Sequence, residues 1–312
     1  MLLWKIMELY SKISIKNLLK KYQIHLSKKL GQNFLVDKKI LEKIIITADL
    51  KPKDIILEIG SGIGNLTMEL AKKVKRVIAV EKDAKMCEIL KETLKDFKNI
   101  EIINKDILKV LNSQFSVINY KVVANLPYYI VSPVIRKLLE KKNPPQVMIL
   151  MVQKEVAQRI CAKPPKMSIL STSVQFYAKP EIITYVSRKS FFPQPKVDSA
   201  IIKITPSTKV SDRTLLWKGE TIDKDLFFNI VKAGFKYPRK QLINNLSRLD
   251  LIFLKKPGLK NRKLKDLKIS RKKIKIWLLK NKIQPTQRAE TLSIKDWINL
   301  TKTYNQFIEE KK

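Results

Sequence analysis

The feature that most constrains this chain is an alternation of short runs rich in branched residues with amphipathic stretches. The runs are DIILEIG (54–60), RVIAVE (76–81), NIEIINKD (99–106) and YKVVANLPY (120–128). Each ends in polar or turn-forming residues, as buried strands do. Between them, Asn65 to Lys75 and Asp83 to Phe97 carry apolar residues at helical spacing, so the pattern predicts βαβ units and a parallel sheet. VMILMVQ (147–153), EIITYVS (181–187) and SAIIKITP (199–206) add later strands. After Pro206 the pattern turns polar and then Lys-rich with helical period. The expected organisation is an N-terminal extension at 1–24, an α/β Rossmann-like domain at 25–206, a linker at 207–224 and a basic helical domain at 225–312.

The first strand runs into EIGSGIGNLT, which sets Gly60, Gly62 and Gly64 at a strand-to-helix turn where backbone can approach a ligand closely. Asn65 stands where the dinucleotide fingerprint requires a small residue, so a pyrophosphate-binding turn is excluded. A glycine turn also serves plain packing, and the next two strand ends decide between the readings. Glu81 closes the second strand about 20 residues on, where a carboxylate accepts both ribose hydroxyls. Asp106 closes the third, where it accepts from an exocyclic adenine amine. Together they read an adenosine-type ligand lying across the strand tips.

The fourth strand ends in Asn125-Leu126-Pro127-Tyr128, which resembles the N-P-P-Y-type motif of amino-methyltransferases acting on planar nitrogens. An exocyclic adenine nitrogen is a poor nucleophile because its lone pair is delocalised into the ring, and acceptors on its N–H bonds favour the reactive geometry. The Asn125 carboxamide and the Leu126 carbonyl suit that task. Pro127 aims the turn, and Tyr128 offers a face for a flipped-out base. In FFPQPKVDS (191–199), prolines hold the segment extended. Phe191 is then either a second stacking face opposite Tyr128 or a core residue, and Phe192 a packing residue.

Composition narrows the chemistry and the partner. A single histidine, His25, and two cysteines, Cys87 and Cys161, leave no multi-His metal cluster, thiolate zinc site or disulfide framework. No metal is expected, and a reducing compartment, the cytoplasm, is. Lys5 and Glu8 interrupt the apolar N-terminus, which argues against a signal peptide, and no run reaches the ~18 apolar residues of a spanning helix. Against 28 Asp+Glu stand 64 Lys+Arg, a formal net charge of +36 that a polyanion would offset.

With these residues in place, the chain resembles the ribosomal RNA adenine N6,N6-dimethyltransferases, most closely the small-subunit (16S rRNA) type. KKLGQNFLVD (28–37) looks like that family's first S-adenosylmethionine motif. EIGSGIG, VIAVE, NKDIL and ANLPYY follow in family order, then FFPQPKVDS and RAETLS (288–293). The resemblance implies S-adenosyl-L-methionine as cofactor, with contacts at Asn33, Leu35, Gly60, Gly62, Glu81, Asp106 and Asn125. It also implies catalytic roles for Asn125, Leu126, Pro127, Tyr128 and Phe191. The substrate would be small-subunit rRNA in immature ribosomal particles, dimethylated at adjacent adenines of its 3'-terminal hairpin by a monomer that engages no membrane. Lys196, Arg239, Lys240 and the lysine-rich run 255–275 would meet RNA phosphate. Two other readings are a large-subunit adenine methyltransferase of the antibiotic-resistance type and an RNA- or DNA-binding factor on the same scaffold.

Overall fold

The computed structural model describes residues 9–24, 26, 31–112, 117–207, 209–210, 214–217, 219–247, 249 and 270–309. His25, the start of the KKLGQNFLVD motif and most of the run 255–275 lie outside the described residues.

The strands, in chain order, are β1 (Phe34–Leu35), β2 (Ile55–Ile59), β3 (Arg76–Glu81), β4 (Ile100–Asn104), β5 (Tyr120–Asn125), β6 (Met148–Gln153), β7 (Ala178–Val186), β8 (Phe191–Phe192) and β9 (Ser199–Pro206), followed by β10 (Lys209–Val210), β11 (Thr214–Trp217) and β12 (Glu220–Asp223). Seven of them form one sheet in the order β4-β3-β2-β5-β6-β9-β7. β2, β3, β4, β5 and β6 run parallel, and β9 enters antiparallel between β6 and β7. This is the expected Rossmann-like α/β fold. The inner strands bury nearly every residue, which is why they read as unbroken branched runs. β7 lies on an edge and carries Lys179, Pro180 and Glu181, which blunt that edge against further pairing. Ile56, Val77, Val123, Ile149 and Ile201 pack with Leu41, Ile44 and Leu70 of the helices Lys38–Ala48 and Asn65–Ala71 in one cluster.

The chain divides into two compact units, one of Met1–Gln158 with Ala178–Ser207, the other of Arg159–Tyr177 with Thr208–Lys312. This differs from the expected organisation at two places. The helix Ile169–Tyr177 belongs with the second unit, because Phe176 stacks on Phe227 with ring centroids 3.9 Å apart. The expected linker holds strands: β11 pairs antiparallel with both β10 and β12. The apolar run TLLW (214–217) of β11 interrupts the polar residues around it, and it was the available signal for a strand there.

The core of the second unit is aromatic. Trp277 stacks on Phe307 at 5.0 Å, and Trp297 lies 5.6 Å from Phe235. Gly234, at the end of the helix Lys224–Gly234, faces Trp297 so closely that a Cβ there would fall 2.3 Å from the indole. Alanine ordinarily improves a helix by about 1 kcal/mol over glycine. Here overpacking prevails, and Gly234→Ala is expected to destabilise the chain by about 1–3 kcal/mol, read as a lower urea midpoint. A raised midpoint would mean that the indole moves aside freely.

Candidate active site

The chain leaves β2 for β3 on one side and returns through β5 on the other, so the carboxyl ends of β2 and β5 flank a crevice at the reversal of strand order. A pocket opens there, with Asn33, Gly60, Gly62, Glu81, Asp106 and Asn125 in its lining, all expected from the sequence. Leu35 lines it too, and its carbonyl accepts from Asn65 Nδ2 at 2.7 Å.

Gly60 (φ +74°) and Gly62 (φ +57°) hold the turn after β2 in the left-handed region. A Cβ on Gly60 would lie 3.3 Å from Pro127 Cδ, and one on Gly62 would lie 3.1 Å from the Phe34 ring. Both glycines are therefore also required by what packs over them. Gly62 N donates to Glu81 Oε2 at 3.0 Å, and Asp83 N to Glu81 Oε1 at 2.9 Å. Burial pushes the Glu81 carboxyl up, and these backbone donors oppose the shift. Each oxygen keeps acceptor capacity for a hydroxyl, as a ribose would need. Asp106 accepts from Leu108 N at 2.9 Å and pairs with Lys82 at 3.0 Å. Partial burial works against its charge, but the Leu108 bond and the Lys82 ammonium outweigh it and hold the carboxyl below its ordinary range.

Asn125 Nδ2 donates to Asn33 O at 3.0 Å. This one bond closes the Gln32-Asn33-Phe34 segment over the pocket and leaves Asn125 Oδ1 as the acceptor end of the amide. Gln32 Nε2 ties the same segment to Asp83 at 2.8 Å. β1 then pairs with β8, Phe34 opposite Phe192 and Leu35 opposite Phe191, joining two motifs far apart in sequence. Leu126 is anchored through its N–H to Met151 O at 3.2 Å. The Tyr128 hydroxyl meets Ser199 Oγ at 3.1 Å, which fixes the ring.

An adenosine with an amino-acid tail fits this donor set, with two oriented carboxylates on one side and a glycine cradle in the middle. The structure does not bring Phe191 to the pocket. It is 2% exposed and belongs to the core cluster that also holds Ile44 and Ile149, so its burial fits the packing reading. Tyr129, absent from the expected site residues, lines the pocket and is 52% exposed. Lys196, Arg239 and Lys240 are exposed. Lys240 Nζ lies 5.3 Å over the Tyr237 ring, and Asn245 Nδ2 holds that loop by bonds to Gly234 O and Tyr237 O at 2.6 and 3.1 Å.

The model of the ribosomal RNA adenine dimethylase family matches residues 24–306. The ribosomal RNA small subunit methyltransferase A of Dehalococcoides mccartyi (strain CBDB1) is 40% identical over 291 residues, 93% of this chain and 92% of its own. That of Alkaliphilus metalliredigens (strain QYMF) is 40% identical over 296 residues, covering 92% and 94%. Among solved structures, a dimethyladenosine transferase from Plasmodium falciparum superposes with a TM-score of 0.70 at 30% identity, covering 87% of this chain and 97% of its own. A 23S rRNA methyltransferase, ErmE, gives 0.64 at 23% identity over 87% and 99%, a likeness of fold alone.

Sequence reasoning missed Glu58, although a charge inside the apolar run IILEI was the available signal. It lines the pocket floor and is 1% exposed. Glu58 Oε2, Ser61 Oγ and Thr67 Oγ1 are all buried without a hydrogen-bond partner. Burial pushes the Glu58 carboxyl up to about 7; the nearby Thr67 and Ser61 hydroxyls oppose the shift, and the Glu81 charge adds to it. A carboxyl whose folded pKa is raised contributes stability in full below its ordinary value of 4.5 and loses it as pH rises through about 7. The span corresponds to about 3 kcal/mol. Cofactor-free Glu58→Gln is expected to remove that decline, so the difference in melting temperature from wild type should widen from pH 5 to pH 8. Parallel pH profiles for the two proteins would show that Glu58 does not titrate in this range.

Proposed function

Since the chain belongs to the ribosomal RNA adenine dimethylase family, we propose that it dimethylates N6 of adjacent adenines in the 3'-terminal hairpin of small-subunit rRNA, working as a monomer on immature particles in the cytoplasm. The observation that carries this reading is Asn125 in the lining of the crevice, with its amide nitrogen committed to Asn33 O. Among the described residues no helix is long and apolar enough to cross a membrane.

S-adenosylmethionine, when bound, supplies an electrophilic methyl group on a sulfonium. The chain's own contribution is then positional. Glu81 takes the ribose hydroxyls and Asp106 the adenine amine. Asn125 Oδ1 and the Leu126 carbonyl accept the two N6–H bonds of the target base, freeing its lone pair for in-line attack. Tyr128, its hydroxyl held by Ser199, offers one face to that base, and Phe191 stays a core residue. The N6 proton is lost to solvent after transfer, so no strong base is required. Lys196, Arg239 and Lys240 meet RNA phosphates.

Relatives at 40% identity carry the small-subunit name, whereas the large-subunit neighbour stands at 23%. This favours the small-subunit reading over the antibiotic-resistance type. A binding factor with a retired site would not need the acceptors at Glu81, Asp106 and Asn125.

Two measurements test the assignment. Glu81→Ala is expected to weaken S-adenosylmethionine binding by about 1–3 kcal/mol in calorimetry, through the loss of two hydrogen bonds to hydroxyls; unchanged affinity would place the ribose elsewhere. Asn125→Ala is expected to lower methyl incorporation into immature small subunits by ~10²–10³, with RNA binding retained. Wild-type turnover in that variant would remove Asn125 from the reacting nitrogen.

A further inference from the structure

The segment preceding the pocket has no task in the reaction derived above. Its described residues hold the helix Lys12–Lys21, capped by Ser11, whose Oγ accepts from Ser14 N at 3.4 Å. Ile15 and Leu19 are buried in a cluster with Phe34, Ile63 and Met68. Asn65 Nδ2 donates to Leu9 O at 3.1 Å as well as to Leu35 O at 2.7 Å, so one buried amide ties this segment and the pocket's cover to the same helix. The segment is thus held rigidly beside the site.

The two edges of this helix differ. Along one, Lys21 pairs with Glu92 at 2.7 Å, and the Tyr22 hydroxyl donates to the same carboxylate. Along the other, Lys12, Lys16 and Lys20 recur every fourth residue, all exposed. None has a carboxylate within ion-pair distance among the described residues, and Lys16 Nζ instead lies 5.8 Å from the centre of the Phe192 ring. Phe192 belongs to β8, in the loop that also carries Arg188, Lys189 and Lys196, all exposed. Arg188 Nη1 donates to Lys196 O at 3.2 Å, which binds the two ends of that loop together.

Three ammonium groups at successive turns of a rigid helix, over roughly 12 Å, repel one another unless a polyanion neutralises them. We propose that Lys12, Lys16 and Lys20 form a phosphate-binding arm that grips the rRNA backbone beside the target adenine. The inference rests on the rRNA reading above and extends its footprint to a part of the chain with no assigned role. A regular array of charges fits a regularly spaced backbone, and a helix already anchored by Ile15 and Leu19 incurs little ordering cost on binding. Continuity with β8 through Lys16 and Phe192 places the arm at the same site as the FFPQPKVDS segment.

The test is the salt dependence of binding to the 3'-terminal hairpin of small-subunit rRNA and to immature small subunits, using the full chain. The Lys12→Gln/Lys16→Gln/Lys20→Gln variant is compared with a charge-matched control, Lys53→Gln/Lys75→Gln/Lys98→Gln. Those three lysines are exposed and precede β2, β3 and β4, at the opposite end of the sheet from the pocket. The arm variant is expected to lose about two to three from the slope of log affinity against log salt, and to bind about ten-fold or more weakly at physiological salt. Its S-adenosylmethionine affinity and unfolding midpoint should stay at the wild-type values, and arginines at the same positions should keep the slope. The control should lose less than one. Equal losses in both variants, or none in the arm variant, overturn the arm while leaving the rRNA reading intact. A wild-type chain that fails to bind either RNA overturns both.

Discussion

At the centre of the sheet the backbone leaving β2 must turn within van der Waals contact of the backbone leaving β5, and the rest of the site depends on that approach. Gly60 meets the Pro127 ring there, with space for a Cβ only 3.3 Å from Cδ. The approach lets a cradle of backbone and an acceptor amide share one crevice. A side chain on Gly60 would push Pro127 away and carry Asn125 with it. Strand order supplies the crevice, and the glycine turn brings its two walls into register with one ligand.

Around this crevice the acids are treated differently by their surroundings. Glu81 is nearly sealed and is compensated by backbone N–H groups, whereas Asp106 is more open and is compensated by Lys82. Glu58 is sealed with only the Thr67 and Ser61 hydroxyls to oppose the shift, and burial pushes its carboxyl up to about 7. Three carboxyls near one cofactor site would repel if all were ionised. The raised carboxyl of the innermost one lessens that conflict and leaves Glu81 and Asp106 to act as acceptors. The cover over the site is fastened by side chains that also line it. Asn125 holds Asn33, and Asn65 holds Leu35.

The excess of positive charge is organised by the fold. In the second unit, Asn245 and the Gly234–Trp297 contact fix the loop that presents Arg239 and Lys240. In the first unit, lysines of the helix Lys12–Lys21 divide between an edge neutralised by Glu92 and an edge left without acids.

The sequence by itself determined the sheet strands, the glycine turn and the acids that follow it. These follow from local rules: branched runs favour buried strands, a ligand approached by backbone requires glycine, and strand ends in a parallel sheet carry the polar groups. RVIAVE and SAIIKITP match β3 and β9 residue for residue. Tertiary structure alone decided where long-range contacts compete. Phe191 is apolar and beside prolines in either reading, and only its burial within the folded core cluster favours packing. Residues 207–224 are a different case: the short apolar run TLLW (214–217) was a local strand signal, and β10, β11 and β12 pair antiparallel with near neighbours in sequence. Glu58 is marked in the sequence only as a charge inside the apolar run IILEI, and the surrounding strands decide that water is removed from it. Desolvation and side-chain enclosure are properties of neighbours brought together by folding, so neither of them is written in any single stretch of the chain.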